Sequence, residues 1–163
     1  MDQRSYFILQ NTRQLKDGMD VLSRLDDRTY AECNHAYFAS GIGKHFRHIL
    51  DMYQCFLKIE DGSVDYDDRE REPRLETDRE YAIGKVREVI DQLESLQDIA
   101  LDESLSVSSN EGPNTEGISP WCTSSFVREL QYLASHTVHH YAIIAMILRI
   151  LGHGCPEHFG VAP

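Results

Sequence analysis

The sequence lacks the marks of a membrane-spanning, exported or zinc-ribbon protein. No run approaches the roughly 20 apolar residues that a bilayer-spanning helix requires, and the start MDQRSYFILQ has neither the basic region nor the long apolar run of a signal peptide. The four cysteines form no C-x-x-C pair, which excludes a zinc ribbon and a thioredoxin motif. We therefore expect a cytoplasmic protein whose thiols are free.

Positive charge is also scarce. Lys and Arg number 16 against 27 Asp and Glu, so the formal net charge is −11. A field of this sign repels duplex nucleic acid and anionic membranes, and we expect neither as a partner. The length of 163 residues fits one compact domain, and the hydrophobic share of 41% is enough to form its core.

Strand signals are few, because no run shows sustained two-residue alternation bounded by hairpin turns. Helical periodicity, in contrast, recurs in four segments. They lie at about 3–25, 41–60, 77–96 and 123–151, and the third opens on Thr77-Asp78-Arg79-Glu80, which fits a capping box. The sequence therefore predicts an all-α protein, a four-helix bundle.

Two connections between these helices have a distinct composition. Residues 61–76 are rich in charge and long enough to cross an end or a side of the bundle. Residues 104–120 are rich in Ser, Asn, Gly, Thr and Pro, which predicts an exposed loop.

The unusual feature is the presence of eight histidines, two of which form an H-x-x-x-H pair in the fourth helix. His136 and His140 lie one helical turn apart and can present two imidazoles to one point, whereas His139 points away. Both rings fall on or beside the apolar stripe, where polar rings are costly unless their nitrogens are satisfied. A metal ion and separate hydrogen bonds within the core would each satisfy them.

The second helix offers a third imidazole in the run KHFRHILD. His45 lies closer to the apolar centre of this helix and His48 lies nearer its edge, so periodicity leaves the choice between them open. Three histidines with an open coordination position are the standard arrangement of a catalytic zinc-type site.

Four segments together carry a resemblance to a known family. They are GIGKHFRHILD at 41–51, YDDRER at 66–71 followed by ETD at 76–78, REL at 128–130 through HTVHHYA at 136–142, and the tail PEHFGVAP at 156–163. This combination covers most of the chain and resembles the DinB-like (DinB/YfiT) superfamily of four-helix-bundle metalloenzymes.

The resemblance implies a ligand set. The family carries a histidine on the second helix three residues before an aspartate, which corresponds to His48 before Asp51, and an H-x-x-x-H pair on the last helix. It therefore implies one divalent ion, zinc, nickel or iron, held by His48, His136 and His140, with His45 contacting a ligand or lining the pocket. It also implies a long connection between the second and third helices, and it allows a homodimer.

Further polar residues are candidates for the surroundings of the metal. Asp51, one turn from His48, could hydrogen-bond a ligand or a bound water, or could be a salt-bridged helix residue. Arg69 and Arg71 could bind an anionic substrate, or could belong to a solvated connection. Tyr141 could line the pocket, or could be a core aromatic.

The resemblance also implies a reaction. Relatives use such a site to transfer or isomerise small molecules with a low-molecular-weight thiol, which a cation deprotonates. A metal-dependent hydrolase that activates water is the alternative enzyme. A non-catalytic bundle would instead have a structural metal, closed by a fourth protein ligand, or hydrogen-bonded core histidines without metal.

Overall fold

The computed structural model describes residues 2–96, 104–109 and 121–162. The chain is mostly helical there, and its four long helices confirm the four predicted helical segments. The helices are α1 (Gln3–Ser23), α2 (Asp27–Ala31), α3 (Ile42–Leu57), α4 (Arg79–Ser95) and α5 (Phe126–Ile150), with a 3₁₀ turn at Pro73–Glu76. Helices α1 and α3 each pack against both α4 and α5.

A small sheet corrects the prediction of an all-α bundle. Its strands are β1 (Ser63–Asp65), β2 (Ser104–Ser108) and β3 (Trp121–Ser125), in the order β1-β2-β3, with β1 parallel and β3 antiparallel to β2. Leu105 and Val107 of β2 are buried. The predicted exposed loop is therefore wrong at β2, and its residues 110–120 lie outside the described ones. SLSVS does alternate, but five residues without a hairpin turn give a weak signal.

Helix α4 begins one residue later than the predicted capping box would place it. Asp78 is the N-cap, and its side chain accepts a hydrogen bond from the Tyr81 N–H. The Thr77 N–H instead donates to the Arg74 carbonyl and closes the 3₁₀ turn. The backbone of Thr77 thus already belongs to the preceding 3₁₀ turn. Asp78, the next residue whose side chain can accept a capping hydrogen bond, is the N-cap instead.

A buried polar network fixes α1, α3 and α5 relative to one another. The Tyr53 hydroxyl on α3 donates to the Asn11 side chain on α1 at 2.7 Å and accepts from the Thr137 hydroxyl on α5 at 3.2 Å. The Asn11 amide also donates to the Leu130 carbonyl of α5. Because buried polar groups are costly when unpaired, this network favours one register between the helices.

Two compositional predictions can be compared with the structure. All four cysteines are free, as the sequence predicts; Cys55 is buried and Cys122 is exposed. Among the described residues, no helix is both long and apolar enough to cross a bilayer.

The start of α3 packs directly on the backbone of the 3₁₀ turn. A Cβ atom at Gly43 would lie 2.0 Å from the Glu76 carbonyl oxygen, so the close approach requires glycine. A Cβ atom at Gly84, within α4, would meet nothing within 4 Å.

These two glycines form a matched pair for a stability test. Gly43→Ala should lower the free energy of unfolding by about 2 kcal/mol, because the helix or the turn must move away. Gly84→Ala should raise it by up to about 1 kcal/mol, because alanine favours the helix. Urea unfolding measures both, and a neutral Gly43→Ala would contradict the described packing.

Candidate metal centre

Three imidazoles meet between α3 and α5. His48 comes from α3, and His136 and His140 come from successive turns of α5. The Nε2 atom of His136 lies 3.1 Å from Nε2 of His48 and 3.1 Å from Nε2 of His140. One ligand atom from each ring lies within 4.8 Å of the other two. The fold therefore brings together the three residues that the resemblance implied.

The spacing of these nitrogens fits a divalent ion. Two nitrogens bound about 2.0 Å from a tetrahedral zinc lie about 3.3 Å apart, close to both observed separations. All three rings are half-buried, so an ion between them would be partly shielded from water. His48, His136 and His140 could therefore hold a metal ion.

Two of the rings favour the neutral form. Burial, followed by the neighbouring imidazole of His136 and the guanidinium of Arg69, lowers the pKa of His48 to about 4. Burial, followed by the surrounding histidines, lowers the pKa of His140 to about 3. Neutral imidazole is the form that binds metals, so these rings are prepared for an ion at neutral pH.

His45 lies behind His140 and outside the group of three. Its Nδ1 is 2.9 Å from Nδ1 of His140, and its ring also hydrogen-bonds to the Ser40 carbonyl. In the arrangement in which His45 donates to the Ser40 carbonyl through Nε2, its Nδ1 accepts from Nδ1 of His140, and the Nε2 lone pair of His140 faces the centre.

Arg69 imposes a conflicting arrangement at the opposite end. Its Nη1 lies 3.4 Å from Nδ1 of His48 and can only donate, which places the His48 proton on Nε2. His136 Nε2 then faces a proton on His48 and a lone pair on His140. The Nε2 of a neutral His136 can either donate to the His140 lone pair or accept from the His48 proton, but it cannot do both. A cation would instead accept a lone pair from each of the three rings.

Of the two roles that the sequence left open for Asp51, the structure shows the salt-bridged helix residue. It is 2% exposed, and its carboxylate pairs with Arg47 at 2.5 Å. Arg47 also pairs with Glu76 at 2.7 Å, which ties α3 to the 3₁₀ turn. Burial raises the pKa of Asp51, and Arg47 opposes this shift. The residue acts as a salt-bridged helix residue, and Arg69 is the charged group beside His48.

A cavity of about 270 Å³ adjoins the histidines. It is bounded by two of the ligands and by side chains from the connection 61–76, from α5 and from the residue after β2. The lining residues are His48, Met52, Tyr66, Asp67, Arg69, Ser109, Tyr132 and His136. The candidate centre thus borders a space that a small molecule could enter.

The other candidate residues lie away from this cavity. Arg71 is exposed and is not among the lining residues. Tyr141 is buried between Phe46 and Phe159, so it belongs to the core. His139 is exposed, as its position on the helix predicts.

Five lining residues were not among the candidates from the sequence: Met52, Tyr66, Asp67, Ser109 and Tyr132. Met52 follows His48 by four positions and Tyr132 precedes His136 by four, so both lie on the ligand faces of their helices. The ligand positions alone would have identified them. Ser109 follows β2 in the segment interpreted as a loop, and nothing in the sequence distinguishes it.

Two sequence comparisons show which known proteins the chain is similar to. The sequence model of the DinB family matches residues 1–158. FK506-binding protein 5 of Rhizopus delemar is 36% identical over 100 residues, which are 61% of this chain and 26% of that protein. The chain thus matches about a quarter of the length of that relative, whose name describes the whole of the longer protein.

The three-histidine centre predicts the metal content of two variants. His136→Ala removes the ring that contacts both other ligands, and the purified protein should lose most of its bound zinc. His139→Ala removes the exposed neighbouring ring and should keep the zinc content of the wild type. Elemental analysis after removal of any histidine tag measures both, and equal zinc in all three proteins would contradict the centre.

Proposed function

Because the chain belongs to the DinB family, we propose that it is a metal-dependent enzyme that transfers or isomerises a small molecule with a low-molecular-weight thiol. The observation that carries the proposal is the cavity beside the three histidines. It gives an ion at this position a face that is directed at a substrate rather than at a fourth protein ligand.

The composition of the centre favours catalysis over a structural clamp. A structural zinc is closed by four protein ligands, whereas a catalytic zinc has three and an open position. Among the described residues, the group that could hold a metal contains three side chains and no cysteine or carboxylate. Zinc, nickel and iron all suit three imidazoles, so the proposal specifies a divalent ion and not its identity.

The ion and the residues around it would have separate roles in the thiol reaction. A cation at this position would lower the pKa of an entering thiol and supply a thiolate near neutral pH. Met52 and Tyr132 give the cavity an apolar wall that excludes water from the reacting sulfur. The free cysteines agree with a reducing compartment, and we place the reaction in the cytoplasm.

Hydrolysis is the second candidate, and Asp67 favours it. This exposed carboxylate is among the cavity-lining residues and could accept the proton of an attacking water. A thiol reaction requires sulfur to enter the open position, whereas a hydrolase does not, so thiol binding distinguishes the two candidates.

Thiol binding should be visible in the cobalt-substituted protein. Titration with 2-mercaptoethanol should produce thiolate-to-cobalt absorption in the near ultraviolet that saturates at one thiol per ion. His136→Ala, treated in the same way, should give no such band. If saturating thiol leaves the spectrum of the wild type unchanged, the thiol reaction is wrong and hydrolysis becomes the leading candidate.

His45 should act as a positioning residue for His140. Its hydrogen bond orients the His140 ring and keeps the proton on Nδ1, so that Nε2 remains free for the ion. His45→Ala should weaken zinc binding about 10- to 100-fold, the range typical of partners that orient a ligating histidine.

The control for this variant is His139→Ala, which removes an exposed ring that also lies beside His140. Competition with a chromophoric chelator measures both affinities. A wild-type affinity in His45→Ala would exclude a role for the Ser40–His45–His140 chain in positioning the ligand.

A further inference from the structure

The guanidinium of Arg69 is poorly satisfied for a charged group at a cavity wall. It has five donors, yet its Nε is buried without a hydrogen-bond partner in the part of the chain that the structure describes. Its Nη1 makes the long 3.4 Å contact to Nδ1 of His48. No other side-chain hydrogen bond of Arg69 is found among the described residues.

A structural role toward Asp51 does not account for this position. Arg69 is near enough to lower the pKa of the Asp51 carboxyl, but Arg47 already holds that carboxylate at 2.5 Å. Among the described residues, nothing else engages the guanidinium of Arg69, so it is available to a bound ligand.

Metal binding should remove the one contact that Arg69 has. A ring that binds an ion through Nε2 carries its proton on Nδ1, so His48 would present an N–H to Arg69 instead of a lone pair. Two donors facing each other repel. The guanidinium would then be free to turn its donors toward the cavity, where one carboxylate could accept from Nε and Nη2 together.

We propose that the metal-loaded protein binds the carboxylate of its small-molecule substrate through Arg69, beside the open position of the ion. This specificity rests on the proposed function, because it concerns the same cavity. A planar carboxylate fits the guanidinium fork through two parallel hydrogen bonds. The exposed carboxylate of Asp67 also lines the cavity and repels polyanions, so the structure favours a substrate with one carboxylate there.

Two thiols of similar size test the proposal. Thioglycolate carries a carboxylate and 2-mercaptoethanol carries a hydroxyl, and both are titrated into the cobalt-substituted protein. The wild type should prefer thioglycolate, and Arg69→Gln should reduce the ratio of the two affinities about tenfold or more. The affinity for 2-mercaptoethanol should change little. Comparing ratios removes the direct attraction between the carboxylate and the ion.

Two further variants test whether the effect on the affinity ratio depends on the position of Arg69 or only on its charge. Arg71→Gln removes an equal charge from an exposed site two residues away and should leave the ratio unchanged. Arg69→Lys keeps the charge without the fork and should give an intermediate ratio, which also provides a test if Arg69→Gln folds poorly. An unchanged ratio in both Arg69 variants would overturn the proposal even if the thiols bind.

Acetate gives a test that does not depend on sulfur. In the wild type it should shift the visible spectrum of the cobalt centre at concentrations at which acetamide has no effect, and Arg69→Gln should require about tenfold more. If acetate behaves in this way while neither thiol binds, the carboxylate site stands and the thiol reaction fails. If acetate acts equally on both proteins, Arg69 is not its site.

Discussion

Three imidazole nitrogens that face one point need a proton or a cation between them. The fold holds Nε2 of His136 against Nε2 of His48 and of His140, although the contacts at the two ends of the group favour incompatible proton positions. A cation resolves this conflict among the three Nε2 atoms because every ring can direct a lone pair toward it, and it moves the mismatch to the contact between His48 and Arg69. The arrangement of α3 and α5, and the charge distribution around them, are understandable as support for this one interaction.

Several parts of the fold support the three-histidine centre. The Asn11–Tyr53–Thr137 network fixes the register of α3 against α5, and Thr137 is the residue directly after His136. The connection 61–76 then brings Arg69 to the cavity side of His48, and the strand before Ser109 closes another part of the wall. Burial keeps the rings of His48 and His140 neutral, whereas the cavity leaves one side of the centre accessible.

Much of the metal centre could be predicted from the sequence, because its three histidines lie on regular helices. The four-residue spacing of His136 and His140 predicts convergence wherever the helix is placed, and the same rule extends to Tyr132 and Met52. The choice between His45 and His48 depends on how α3 is rotated, which is a tertiary property. Arg69 was a candidate because of its charge, but it and Ser109 reach the cavity through irregular chain, so their place in the wall could not be predicted. The sheet could not be predicted either, because β2 is too short for periodicity to identify.

The central claim is that three imidazoles hold an ion with a position open to the cavity. Zinc K-edge X-ray absorption of the metal-loaded protein tests it most directly. The account predicts three imidazole nitrogens at about 2.0–2.1 Å and one non-protein ligand that 2-mercaptoethanol replaces with sulfur at about 2.3 Å. A shell of four protein donors that the thiol does not change, or a shell with fewer than three imidazoles, would contradict it.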